Sequence, residues 1–121
     1  MIVLDANYIL RFLLHDLQEM YALSKECIAN NRCIILNEVL AEVVFVLLKV
    51  YGVSKEDISQ TLSQFLQYDT IIIDSKTTMI NALKIFNDKN LDFVDAILCA
   101  KSKEYKIKTF DKKLNQCIVS I

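Results

Sequence analysis

Short runs that are apolar throughout alternate with longer stretches of helical periodicity. That alternation predicts an α/β domain with a mostly parallel sheet covered by helices on both faces. Two further observations limit the answer to one such domain. The chain has 121 residues, 54% of them apolar. A chain of that size supports one core that buries roughly two-thirds of the surface its unfolded form exposes. No linker, repeat or low-complexity stretch divides it, so residues 1–121 read as a single domain. One glycine and no proline exclude a collagen-like or flexible-linker chain, and the abundance of Ile, Leu and Val excludes disorder.

The elements follow in order. Ile2-Val3-Leu4 is an apolar run closed by Asp5, the pattern of a short buried strand. Helical spacing continues through Ile9, Phe12 and Leu13, then through Met20, Leu23, Cys27 and Ile28. Cys33–Leu36 is a second strand, followed by Asn37, a residue type that caps helices. Glu38 to Tyr51 reads as a strongly apolar helix ending at the only glycine, Gly52. Ser54-Lys55-Glu56-Asp57 resembles a capping box with Asp in place of Glu, and the helix it opens carries Ile58, Leu62, Phe65 and Leu66 on one face. Thr70–Ile73 is a third strand, followed by a helix from about Ser75 to Asp88. Asp92 opens a helix running from Phe93 to about Glu104. Two short strands, Ile107–Thr109 and Ile118–Val119, would bring the sheet to five.

A formal net charge of −1 gives no global electrostatic reason to bind nucleic acid. Locally the picture differs, because Lys101, Lys103, Lys106, Lys108, Lys112 and Lys113 crowd one segment. The four cysteines (Cys27, Cys33, Cys99 and Cys117) form no C-x-x-C pair, and three lie in apolar runs. They read as small reduced core residues. No uncharged apolar stretch reaches the roughly 18 residues of a membrane span. Asp5 interrupts the N-terminus before a signal-peptide core could form. A cytoplasmic protein with no membrane partner is the expectation.

Parallel α/β sheets bind ligands at the carboxyl ends of their strands, which directs attention to the acids found there. Asp5 ends the first strand and also suits a helix cap. Glu42 is the only charge between Val39 and Leu48. Burying a lone carboxylate costs several kcal/mol unless a partner compensates. Alternatively, Glu38, Glu42 and Lys49 form a narrow wet stripe at helical spacing. Asp92 and Asp95 begin the sixth helix, where the helix dipole favours both. Asp111 follows Ile107–Phe110 and stands beside Lys112 and Lys113.

Together, Asp5, Glu42, Asp95 and Asp111 would gather at one edge of the sheet. Carboxylates so placed repel one another, and a hard divalent cation, Mg²⁺ or Mn²⁺, relieves that repulsion. Such a cation supports hydrolysis of a phosphodiester. Competing chemistries are excluded by what is missing. The single histidine, His15, leaves no zinc cluster and no placed hydrolase triad, and one glycine permits no phosphate-binding loop.

Four segments then carry a family resemblance. Leu4-Asp5-Ala6-Asn7-Tyr8-Ile9-Leu10-Arg11 resembles the opening of PIN-domain proteins, particularly the VapC toxins of bacterial toxin–antitoxin pairs. Leu40–Leu47, around Glu42, resembles their second acidic motif. Leu91–Leu98 and Lys108–Lys113 resemble the third and fourth, so the resemblance runs in order from residue 1 to about residue 115. It implies a compact PIN-like fold with a central, mostly parallel five-stranded sheet, and Mg²⁺- or Mn²⁺-dependent endoribonuclease activity. Asp5, Glu42, Asp95 and Asp111 would then be the metal-binding and catalytic acids. Asp92 is a second-tier acid, and Asn7 and Thr109 match polar positions that orient a ligand or water. A cognate antitoxin and a homodimer are also implied. Surplus apolar residues around positions 17–66 and a mean hydropathy of +0.32 agree with buried interfaces.

On this reading water attacks the RNA phosphate in line, leaving a 5′ phosphate and a 3′ hydroxyl. Lys112 and Lys113, with Arg11 near Asn7, would supply the positive rim that holds the RNA. Two rivals come from other classes. Ala6 stands where the family often has Thr, and the Asp95-to-Asp111 spacing is about two residues short. Both favour a catalytically silent PIN-like scaffold that binds RNA or protein. A phosphotransferase using Asp5 as nucleophile is disfavoured by Asn7, where such enzymes carry a second Asp.

Overall fold

Three short strands form the centre: β1 (Ile2–Val3), β2 (Cys33–Ile35) and β3 (Ile71–Ile73). They pair in parallel in the order β1-β2-β3, with Ile2 against Cys33 and Ile34 against Ile72. The computed structural model describes every residue, Met1–Ile121. Parallel neighbours need crossovers, and two helices fill each one. α1 (Ala6–Leu14) and α2 (Gln18–Asn30) link β1 to β2, while α3 (Asn37–Lys49) and α4 (Lys55–Leu66) link β2 to β3. α5 (Lys76–Asp88), α6 (Phe93–Lys101) and α7 (Lys112–Ser120) complete the chain. No helix is long and apolar enough to cross a membrane.

One cluster of 24 buried residues holds the strands and the first six helices together. Ile35 and Ile71 from the sheet meet Ile9, Leu40, Leu62, Phe65, Met79, Leu83 and Phe86 from the helices. The local signals explain the helix starts. Asp5, Ser54, Asp92 and Asp111 each accept a hydrogen bond from a backbone N–H three residues on, as N-caps do. Ser54 thus makes its half of the expected capping box. Asn37 does not cap α3. It is already the first helical residue, Leu36 precedes it, and no side chain closes that end. Gly52 takes the left-handed conformation (φ +66°) that lets the chain turn out of α3 toward α4.

The sheet has three strands where five are predicted. Ile118–Val119 lies inside α7, because Leu114, Cys117 and Ile118 repeat at helical spacing behind the Asp111 cap and pack together. Ile107–Thr109 has no ladder hydrogen bonds. Its Lys108 is exposed between half-buried neighbours, and no strand pairs with it.

The cysteines also depart from expectation. Cys99 of α6 and Cys117 of α7 form a disulfide, with their Cα atoms 6.1 Å apart, while Cys27 and Cys33 stay thiols. α6 and α7 lie side by side over a small second core of Leu91, Cys99, Leu114 and Cys117, and that packing brings the sulfurs together. Spacing along the chain could not announce it.

Candidate functional site

Three of the acids named from the sequence are helix caps, and capping leaves each half free. Asp5 Oδ1 accepts from Tyr8 N (2.8 Å), Asp92 Oδ1 from Asp95 N (2.9 Å) and Asp111 Oδ1 from Leu114 N (2.8 Å). The second oxygen of each makes no hydrogen bond with protein. One carboxylate therefore ends a helix and still presents an acceptor to solvent, so the structural and chemical roles do not compete.

The acids that the fold brings together are those of α6 and α7. Asp95 is half-buried at the start of α6. Burial first, then the negative charges of Asp92 and Asp111, holds its carboxyl above the ordinary aspartate value. Two separate helix starts thus contribute to one negative field. Lys55 fixes the approach to it: its Nζ donates to the Leu91 carbonyl (3.1 Å) and sits 4.7 Å above the Phe86 ring. That contact ties α4 to the residue before Asp92.

Thr109 fixes the other approach. Its Oγ1 accepts from Asp111 N (3.0 Å), and its carbonyl accepts from Asn115 Nδ2 (3.0 Å). Thr109 therefore orients the backbone of Asp111, which is how it acts on the acid site. Asn7 is exposed and makes no side-chain hydrogen bond.

Asp5 and Glu42 are not among the groups that raise the Asp95 pKa. Asp5 lies at the carboxyl end of β1. Glu42 is exposed, on a solvent stripe of α3 with Glu38, Phe45 and Lys49. Of the two readings open for Glu42, the wet stripe with Glu38 and Lys49 is the one found, because the apolar face of α3 runs through Leu40, Val43, Val44 and Leu47. No three Asp, Glu, His or Cys side chains stand close enough together to hold a metal ion. The expected gathering of four acids is therefore not present as a formed cage.

A hard cation nevertheless fits the donors. Mg²⁺ keeps several waters and takes one or two carboxylates, so a complete protein cage is not needed. Asp95 and Asp111 offer carboxylates that repel each other, and Asp92 adds a third near them. Asn37 is a further polar residue that was not foreseen as a site candidate. It sits at the carboxyl end of β2, and its Oδ1 is buried with no hydrogen-bond partner. From the sequence it read only as a cap. Its place directly after a strand was the available signal.

The basic residues differ among themselves. Arg11 donates to Asp16 (2.9 Å) and to the Tyr51 hydroxyl (3.0 Å), so its guanidinium is engaged within the fold. Lys112 and Lys113 are exposed, and the chain's one salt bridge is Arg11–Asp16. Both lysines lie in the first turn of α7, where the helix dipole disfavours cations. The stability of α7 gives no reason for them to be there.

A family model described as PIN domain matches residues 2–117. Searches of curated proteins and of solved structures return no match to this chain.

Proposed function

The chain belongs to the PIN domain family, a superfamily of nucleases, and from that premise we propose that it is a Mg²⁺- or Mn²⁺-dependent endoribonuclease. The observation that carries the reading is the shared field of Asp92, Asp95 and Asp111. Burial raises the Asp95 pKa first, and the charges of Asp92 and of Asp111, at a second helix start, raise it further. Capping accounts for Asp92 and Asp111 one by one but not for their joint effect on Asp95, a repulsion that a divalent cation relieves.

Asp95 and Asp111 would hold the ion, with Asp92 beside them and Asp5 and Glu42 completing the acid set. When bound, the ion supplies positive charge to the phosphate oxygens and lowers the pKa of water. The chain's own residues do the rest. A water attacks phosphorus, the bond to the 3′ oxygen breaks, and that oxygen leaves as a hydroxyl. The water's proton passes to a carboxylate of the set that does not hold the ion, and the departing 3′ oxygen takes up a proton from solvent. Thr109 keeps Asp111 in register, and Lys112 and Lys113 attract the polyanion.

Toxin function, a cognate antitoxin and a homodimer belong to the same proposal. Their support is apolar surface: Phe45 and Val94 are exposed at a groove of about 450 Å³ that Ala41, Val44, Leu48 and Phe93 also line. A catalytically silent scaffold is the alternative, favoured by the absence of a formed cage.

The nature of the RNA ends tests the chemistry. Products of a defined oligonucleotide should carry a 5′ phosphate and a 3′ hydroxyl by mass spectrometry. A 2′,3′-cyclic phosphate would assign the attack to the RNA's own 2′ hydroxyl and overturn this mechanism.

A further inference from the structure

One aromatic residue breaks the rule that the rest of the chain follows. Phe110 is fully exposed, although burying a Phe side chain is worth roughly 1.5–3 kcal/mol. It is also firmly placed. The Asp111 N–H reaches across it to Thr109 Oγ1 (3.0 Å), and Asn115 Nδ2 holds the Thr109 carbonyl (3.0 Å). The backbone on both sides of the ring is therefore fixed before any ligand arrives.

Phe110 borders a shallow groove of about 500 Å³ along the outer face of α7. Lys112, Asn115, Gln116 and Val119 line the rest of it. Their chemistry is varied and specific. The ring and Val119 offer apolar faces, and Lys112 offers a positive charge with no ion-pair partner. Asn115 spends its amide N–H on Thr109 and keeps its carbonyl oxygen as an acceptor, while the Gln116 amide makes no hydrogen bond. Stacking surface, cation and free amide groups together match the face, phosphate and edge of a nucleotide.

We propose that this groove is a subsite for an unpaired nucleobase of single-stranded RNA, with Phe110 as its stacking platform. The proposal rests on the reading of the chain as acting on RNA. Phe110 directly precedes Asp111, so a base stacked there belongs to a nucleotide adjoining the one whose phosphate meets the acids. The platform positions substrate and takes no part in proton transfer. Charge argues against a second copy of the chain as the occupant. In a twofold pair this patch would meet its own counterpart, bringing Lys108, Lys112 and Lys113 of both copies together.

The test separates binding from cleavage. In EDTA, the full chain is titrated with a labelled mixed-sequence single-stranded RNA and with the same strand as a duplex. Phe110→Ala should weaken single-strand binding about five- to hundredfold, Phe110→Leu nearly as much, and leave the weaker duplex binding little changed. Phe110→Trp should retain affinity. The chain has no other tryptophan, so quenching of that one fluorophore by single-stranded RNA reports stacking directly. Unchanged affinity in Phe110→Ala, or an unquenched tryptophan with RNA bound, overturns the subsite. So does a loss of dimer in Phe110→Ala without a change in RNA affinity, which would assign the ring to a contact between copies. A wild-type chain that binds no single-stranded RNA also overturns it. A quenched tryptophan in a chain that never cleaves RNA with Mn²⁺ upholds the subsite while the nuclease reading fails. Cleavage with an unchanged KM in Phe110→Ala does the reverse.

Discussion

In the proposed chemistry Asp95 is central, and its titration has a sign that can be checked. Its folded pKa is raised by burial and by Asp92 and Asp111. Stability associated with Asp95 is therefore fully present below the unfolded aspartate value and is lost as pH rises through the folded one. In EDTA at neutral pH, Asp95→Asn should melt at a higher temperature than the wild type. That advantage should shrink as pH falls through the carboxylate range. With Mn²⁺ the order should reverse, because only the wild type gains from binding the ion. Thr109 is tested by a different comparison. Thr109→Val removes the oxygen that holds Asp111 N and should lower RNA cleavage roughly tenfold at nearly unchanged melting temperature, with Thr109→Ser restoring it. Identity and order made most of these residues legible in the sequence: Asp5 and Asp92 were read as helix caps, while Asp111 was singled out as an acid without the helix that it caps. The orphaned Asn37 oxygen and the exposure of Phe110 were not legible, because both depend on what the rest of the chain packs nearby.

At the scale of elements, the acid site is built on α6 and α7, and two contacts hold them. Lys55 binds the Leu91 carbonyl and lies over Phe86, tying α4 to the start of α6. Lys55→Met should cost about 2 kcal/mol in urea denaturation and reduce cleavage, since the turn before Asp92 loosens. The Cys99–Cys117 disulfide joins α6 to α7 across a separation of 18 residues. Closing a loop of that length stabilises by roughly 3 kcal/mol, so dithiothreitol should lower the urea midpoint by a corresponding amount. The helices before α7 were legible because their apolar spacing is long, and α1, α4 and α6 also begin at plain side-chain caps. The end of the chain was not. Ile107–Thr109 and Ile118–Val119 are short apolar runs that suit a strand or a helix equally well, and only the Asp111 cap and the Leu114–Cys117–Ile118 packing decide for α7.

For the whole molecule, the distribution of charge matters more than its sum. A net charge of −1 hides an acid field at the starts of α6 and α7 and a run of lysines that reaches the first turn of α7. Acids attract cations and lysines attract phosphate, and a polyanion cleaved with the help of a divalent ion needs both. The measurement that tests this most directly is cleavage of total cellular RNA by the purified chain in Mn²⁺, with EDTA and Asp95→Asn as paired controls. The account predicts discrete fragments with Mn²⁺ and intact RNA in both controls. Fragments that persist in EDTA, or intact RNA from a folded chain that Mn²⁺ stabilises, would contradict it.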